Sequence, residues 1–135
     1  MKLEEIMKLI QNGEKIDVEF KESSNALPKD IYDSVCSFNN RNGGHILLGV
    51  SDERIIIGVN DVKIDKIIKE STTSVNNSQK INTPLYLTPI PVNSKGKTII
   101  YIRVLDGYHE CRHNRNIWDR SYEVDINITN NSELV

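Results

Sequence analysis

One stretch of the sequence, Phe38–Asp52, constrains the fold more than any other. A helical pattern ends there, because Ile31, Val35 and Phe38 recur at helical spacing and two adjacent glycines then interrupt the pattern. The following residues, His45–Val50, are almost wholly apolar, which is typical of a strand covered on both faces. Glycines at this point cap the helix and let the strand pass closely beneath it. The sequence therefore predicts a helix packed on a buried central strand.

Helices and strands alternate on either side of this stretch. Leu3–Ile10 carries a helical apolar stripe that stops at Asn12-Gly13, and Ile16–Phe20 alternates as a strand with one buried and one polar face. Arg54–Val59 is expected to return as a hairpin partner of the central strand. Two further helices are predicted, one from Pro28 and a third helix capped by Asn60 or Asp61. An edge strand is predicted over Leu85–Val92, which contains Pro89 and Pro91, and a returning strand over Thr98–Val104. The last predicted elements are short extended segments at Ile117-Trp118 and Val124–Ile128 and a helix that begins at Ser132.

These elements define the expected fold class. It is α+β, with a mixed, mainly antiparallel sheet and about three helices packed on it. The length of 135 residues suits a single domain spanning 1–135.

Composition excludes several classes of protein. The net charge of −2 is unlike that of a strongly basic nucleic-acid binder. No apolar run approaches the length of a membrane span and the N-terminus lacks a signal-peptide core, so no membrane partner is expected. The two cysteines, Cys36 and Cys111, are far apart in sequence, which argues against a disulfide framework and for the cytoplasm.

The charge is unevenly distributed along the chain. Lys95–Arg120 holds six basic and three acidic residues, together with two of the three histidines. This excess is compatible with a local basic face on an otherwise acidic protein.

Three carboxylates form a second candidate site. Glu19 lies on the polar face of its predicted strand, Glu14 precedes it by five residues, and Asp52 ends the central strand. If the two strands are neighbours, the carboxylates could converge on a divalent cation and activate water for phosphodiester cleavage. The alternative is that Glu19 pairs with Lys21 or an arginine, while Glu14 and Asp52 are solvated turn residues.

A third candidate is a soft-ligand segment. His109, Cys111 and His113 occupy alternate positions and would share one face of a strand, where zinc could use them. No fourth ligand is evident, so the competing interpretations are phosphate contacts or plain surface.

Four landmarks in this order resemble those of a known family. They are Val18-Glu19-Phe20-Lys21-Glu22, the stretch Phe38–Asp52 with its double glycine, Ile57-Gly58-Val59, and Trp118-Asp119-Arg120. Together they resemble the Schlafen AlbA-type domain, the divergent AAA-4 associated domain of RecG-related prokaryotic transcriptional regulators. The sequence departs from the family at Asn39, where alanine or cysteine is common, and at Ser121-Tyr122, where glycine and serine usually follow the arginine.

The resemblance implies a nucleic-acid-binding domain of a transcriptional regulator, with DNA favoured over RNA and no cofactor needed for binding. Schlafen proteins pair two such lobes, so a single lobe is expected to form a homodimer. Relatives often carry an ATPase-like domain after this one, so this domain is expected to be the N-terminal part of a longer regulator. The implied phosphate contacts are Lys21, Arg41, Arg112, Arg115 and Arg120, with Asn40, Gly43 and Gly44 forming the motif turn.

The same resemblance also supports an enzyme of another class. Schlafen proteins that cut tRNA-like RNA use a glutamate–glutamate–aspartate set at the positions of Glu14, Glu19 and Asp52. In that case these three residues would be catalytic, would bind Mg²⁺ or Mn²⁺, and would make the protein an endoribonuclease. A third alternative is a dimerisation module of a larger protein, which needs no site.

Overall fold

A four-stranded mixed sheet lies at the centre of the fold. The structure is a computed structural model that describes residues 2–75, 87–106, 112–113, 116–121, 124–127 and 129. The strands are β1 (Val18–Lys21), β2 (Gly44–Leu48), β3 (Ile90–Ser94) and β4 (Lys97–Val104), in the order β1-β2-β4-β3. β1 runs parallel to β2, whereas β4 is antiparallel to both β2 and β3.

Three helices cover the two faces of this sheet: α1 (Leu3–Asn12), α2 (Ile31–Asn39) and α3 (Ile64–Val75), the last preceded by a 3-10 turn at Asp61–Lys63. Alternation along β2 separates two cores. Leu47 belongs to the core that contains Ile6 of α1, whereas Ile46 belongs to the core that contains Val35 of α2 and Ile67 of α3. The expected α+β class, the mixed and mainly antiparallel sheet and the doubly covered central strand are therefore confirmed.

Helix α2 is itself covered on two sides. Besides the main sheet, it contacts a three-stranded antiparallel sheet made of β5 (Arg112–His113), β6 (Asn116–Ser121) and β7 (Val124–Asn127). The buried Ser34 hydroxyl of α2 donates to Asp125 Oδ2 of β7 at 2.8 Å, so even the polar side of the helix has a partner. An apolar stripe alone predicted one covered side, because serines on the opposite side are usually exposed.

The predicted hairpin between the central strand and Arg54–Val59 forms only beyond the end of β2, and no regular strand results. An antiparallel bridge joins Val50 to Ile56, and on either side of it the Ser51 N–H donates to the Ile55 carbonyl and the Ile57 N–H to the Gly49 carbonyl, each at 2.9 Å. The pairing does not extend along β2. The physical reason is the strand order: β2 already has β1 on one side and β4 on the other, so no hydrogen-bonding edge remains for a third partner.

Strand β1 also differs from its prediction. Val18 and Phe20 are buried as expected, but Ile16 lies in the preceding turn and is 40% exposed. Lys21, predicted on the polar face, is only 8% exposed, because the second face of β1 is covered as well.

At both outer edges of the main sheet, the row of outward backbone hydrogen-bonding groups is interrupted. On β1, the outward Phe20 N–H donates to Glu14 Oε1 at 2.9 Å, and the Val18 N–H donates to the Lys15 carbonyl at 3.1 Å. On β3, Pro91 has no N–H to offer. Unpaired strand edges invite pairing with another chain, and these two devices discourage it.

Several local predictions are confirmed. Helix α1 ends at Gly13, whose φ of 80° suits glycine, and the Asn60 side chain accepts the Val62 N–H at 3.2 Å as a cap. β3 is an edge strand, as Pro91 required. Helix α2, however, starts at Ile31 instead of Pro28. The helix predicted at Ser132 lies outside the described residues.

The expectation that the cysteines stay reduced is wrong for Cys36. This residue is fully buried in α2 and is disulfide-bonded. The other cysteine of the sequence, Cys111, lies outside the described residues. Cysteine usage therefore no longer argues for a reducing compartment. Within the described residues, no helix is long and apolar enough to cross a membrane.

The Gly44 position gives a test of the packing between α2 and β2. A Cβ on Gly44 would lie 2.5 Å from Phe38 Cδ1, so Gly44→Ala should lower the free energy of unfolding by about 1–3 kcal/mol through overpacking. The control is Gly96→Asn, at a φ of 83° that asparagine tolerates and with no atom within 4 Å of the added Cβ. Urea denaturation of both variants measures the difference, and equal losses would contradict the proposed clash.

Candidate nucleic-acid interface

Lys21 lies inside the protein and not on its surface. Its Nζ atom is 3.1 Å from Asp30 Oδ1 and 3.9 Å from Glu19 Oε1, and its side chain is 7% exposed. A buried ammonium needs such partners, because an uncompensated charge in the interior is very costly. The prediction that Lys21 contacts phosphate is therefore corrected: its charge is already used by two carboxylates.

The three predicted catalytic carboxylates have separate roles. Glu14 accepts the Phe20 N–H along the edge of β1, Glu19 faces Lys21, and Asp52 is exposed in the turn that follows β2. Among the described residues, no group of three His, Cys, Asp or Glu side chains could hold a metal ion. The structure does not bring the predicted set together as a metal site, and it shows the alternative pairing of Glu19 with Lys21.

The motif turn between α2 and β2 has a steric role. The Gly43 N–H donates to the Phe38 carbonyl at 2.7 Å, and Gly43 has a φ of 78°. A Cβ on Gly43 would lie 2.6 Å from the Val104 carbonyl oxygen, so only glycine fits between the helix end and β4. Asn40 is the C-cap of α2, and the exposed Arg41 follows it in this tight turn. The backbone therefore holds Arg41 at a defined place on the surface.

Two of the remaining predicted phosphate contacts belong to the small sheet. Arg112 lies on β5 and Arg120 on β6, where the backbone of Arg120 pairs with that of Asp125. Arg115 lies outside the described residues, as do His109 and Cys111 of the soft-ligand segment. The described backbone thus places Arg112 and Arg120 on one unit packed against α2.

A polar cluster on the α1 face of the main sheet was missed. His45 Nδ1 and Tyr101 Oη are 2.6 Å apart, and His45 pairs in register with Arg103 across β2 and β4. Burial, and then the Arg103 charge, lower the pKa of His45, against an opposing effect of Asp17. Burial raises the pKa of Tyr101, against a hydrogen bond and the charge of Arg103. The signal available in the sequence was a histidine and an arginine within otherwise apolar strands.

The hydrogen bond between His45 and Tyr101 can form in either direction. The Tyr101 hydroxyl donates to His45 Nδ1 when the neutral imidazole carries its proton on Nε2, and it accepts from Nδ1 when the proton is there. The cluster links β2 to β4 through polar side chains on a largely apolar face.

Comparison with known proteins decides the family. The family model described as Schlafen, AlbA_2 matches residues 14–128, which is most of the chain. The chain belongs to the Schlafen AlbA_2 family. The resemblance read from the four sequence landmarks is therefore confirmed, and each of them has a place in the Schlafen AlbA_2 domain: β1, the turn from α2 into β2, the loop after β2, and β6.

The Schlafen AlbA_2 domain is similar to parts of longer proteins. It is 35% identical over 104 residues to an ATP-binding protein of Ureaplasma parvum serovar 3, covering 71% of this chain but only 29% of that protein. The DIP2311 protein of Corynebacterium diphtheriae has a similar fold, with a TM-score of 0.60 and 18% identity over 82% of this chain and 22% of that chain. The N-terminal domain of a RecG-related protein from Nitrosomonas europaea gives a TM-score of 0.57 and 23% identity over 74% and 72% of the two chains.

The His45 cluster makes stability depend on pH with a definite sign. The pKa of His45 in the folded state is below the unfolded value of 6.5, so the unfolded state binds the proton more readily. The contribution of His45 to stability is therefore present above pH 6.5 and is lost as the pH falls through the lowered pKa. We expect the free energy of unfolding of the wild type to fall more steeply from pH 7 to pH 5 than that of His45→Gln. Denaturant titrations at several pH values measure both slopes, and identical slopes would contradict the assignment.

Proposed function

We propose that this domain binds nucleic acid, with duplex DNA as the preferred ligand, and does not cleave it. The observation that carries the proposal is the ion pairing of Lys21 with Glu19 and Asp30. The ammonium of Lys21 opposes part of the charge of these two carboxylates, so Glu19 faces a cation of its own chain and not a metal ion. Metal-dependent hydrolysis needs a cation that activates water, and no described group of ligands offers it a place.

Family membership supports the nucleic-acid part of the proposal. One neighbour in fold belongs to a protein whose name relates it to RecG, an ATP-dependent DNA helicase. Another relative is named as ATP-binding, and this chain spans only 29% of its length. We infer that this domain supplies the nucleic-acid contact within a longer regulatory protein, while ATP chemistry belongs to other parts of such proteins.

The proposed phosphate contacts are Arg41, Arg112, Arg115 and Arg120. Arginine suits this role because its guanidinium is always charged and presents a planar fork of donors to phosphate oxygens. Such contacts hold the protein on the duplex without reading its sequence.

We also propose that the domain forms a homodimer, and the structure limits how the two copies would meet. Glu14 and Lys15 cap the β1 edge, and Pro91 interrupts the β3 edge, so a continuous intermolecular main sheet is disfavoured. A symmetric contact would therefore use a helical face or the small sheet. Sedimentation showing only monomer at high protein concentration would contradict dimerisation.

Replacing Arg112 and Arg115 tests the phosphate contacts. The double variant Arg112→Ala, Arg115→Ala should weaken binding to all duplex sequences alike and reduce the salt slope by up to about two contacts. Titrations of duplex DNA, single-stranded DNA and structured RNA at several salt concentrations provide the measurement. Lys69→Ala on the exposed side of α3 is the control, and unchanged affinity and slope in the double variant would place the contacts elsewhere.

Replacing Glu19 separates a binder from a nuclease. Glu19→Gln removes one negative charge while Lys21 keeps Asp30, so a binding domain should hold nucleic acid as well as before or better. A metal-dependent endoribonuclease would lose Mn²⁺ affinity and cleavage together. The assay combines DNA binding with incubation of tRNA and Mn²⁺. Cleavage by the wild type that disappears in Glu19→Gln would overturn the proposal in favour of the nuclease.

A further inference from the structure

Two segments far apart in sequence meet at one end of the main sheet. The two-residue turn Lys95-Gly96 joins β3 to β4, and the loop after β2 packs on the start of β4. The Val59 N–H donates to the Thr98 carbonyl at 2.8 Å, and Lys97 Nζ donates to the Ile56 carbonyl at 3.2 Å. These bonds bring the loop that carries Arg54 beside the start of β4, where Lys97 follows the turn that carries Lys95.

Arg54 is held in place by the end of helix α1. Its Nη1 donates to the Gln11 carbonyl at 2.9 Å, where the partial negative charge of the helix C-terminus favours a cation. The guanidinium lies over Gly13, where an added Cβ would be 3.2 Å from Nε. One hydrogen bond leaves most of the five guanidinium N–H groups available to a ligand.

Lys97 is held in a similar way by the loop after β2. Besides its bond to Ile56, its Cβ would lie 3.1 Å from a Cβ added at Gly58. In both places a glycine leaves the space that the long cationic side chain crosses. Side chains that are already positioned lose less conformational entropy when they bind a ligand.

The charged side chains at this end of the main sheet are exposed to solvent. Arg54, Lys95 and Lys97 are all exposed, and none of the ion pairs in the described part of the chain involves them. Asp52 and Glu53 precede Arg54 in the same exposed loop and oppose the three positive charges. The surface is thus weakly basic overall, with two of its three cations fixed by backbone carbonyls.

We propose that Arg54, Lys95 and Lys97, here called the hairpin-end surface, form a second phosphate-contact surface for the backbone of a duplex. This inference rests on the proposed nucleic-acid binding and adds to it a contact region outside the family motifs. Cations on two segments can contact successive phosphates, and the fork of Arg54 suits phosphate oxygens. The other ligand with suitable charge, an acidic polypeptide, is an outcome of the test.

The test compares two triple variants of equal charge. The hairpin-end variant loses three positive charges and keeps polar side-chain ends through the changes Arg54→Gln, Lys95→Gln and Lys97→Gln. The α3 variant loses three positive charges from the region of α3 through the changes Lys63→Gln, Lys66→Gln and Lys69→Gln. We expect the hairpin-end variant to bind duplex DNA at least about tenfold more weakly than the wild type. The salt dependence of its binding constant should decrease by the equivalent of up to about three phosphate contacts. The α3 variant should change the affinity less than about threefold. Equal thermal unfolding of both variants shows that the fold is intact.

A variant that removes negative charges from the same surface strengthens the test. Asp52→Asn with Glu53→Gln removes the two opposing charges of the same loop and should tighten duplex binding about two- to fivefold. The same pair of changes would have no effect on binding if the duplex lay on another side of the domain, and that result counts against the hairpin-end surface.

The outcomes separate this inference from the proposed function. A wild type that binds no nucleic acid in a salt-sensitive way overturns both. A wild type that binds duplex DNA, with the hairpin-end variant binding like the α3 variant, overturns only the hairpin-end surface. Tighter binding of polyglutamate than of DNA, lost in the hairpin-end variant, assigns the surface to an acidic protein partner and also overturns the inference.

Discussion

Burial of β2 on both faces and along both edges is the constraint on which the rest of the structure depends. Its side chains pack alternately against α1 on one side and against α2 and α3 on the other, while β1 and β4 take its backbone hydrogen bonds. Every adjoining element must therefore approach closely, which is why Gly43 and Gly44 have no room for a Cβ. The loop after β2 is excluded from the sheet for the same reason and runs instead to the start of β4.

The second determining interaction is the ion-paired cluster around Lys21. Lys21 lies in the interior at the end of β1, where Glu19 of the same strand and Asp30, the N-cap of α2, oppose its charge. A strand that the sequence predicts as half polar is covered on both faces, and Glu19, one of the three predicted metal ligands, faces an ammonium. The other two predicted ligands lie elsewhere, because Glu14 accepts the Phe20 N–H and Asp52 is exposed in the turn after β2.

The predictability of the candidate site varied with the kind of interaction. The motif turn at Asn40, Gly43 and Gly44 was predicted correctly, because a helix stop followed by a buried strand depends on neighbours in sequence. Lys21 was misplaced and the contact of His45 with Tyr101 was missed, because each depends on residues brought together across elements. The bond of Lys97 to the Ile56 carbonyl was missed for the same reason, since it joins the start of β4 to the loop after β2.

The sequence by itself determined most of the helices and strands, the α+β class and the family, since periodicity, glycine and proline act over a few residues. It also determined that β2 is buried and that β3 lies at an edge. Only the tertiary structure decided the strand order β1-β2-β4-β3, the second covering of α2 by the small sheet, and which charges remain at the surface. The physical reason is that exposure and ion pairing depend on what packs over a residue, and the covering elements come from distant parts of the chain.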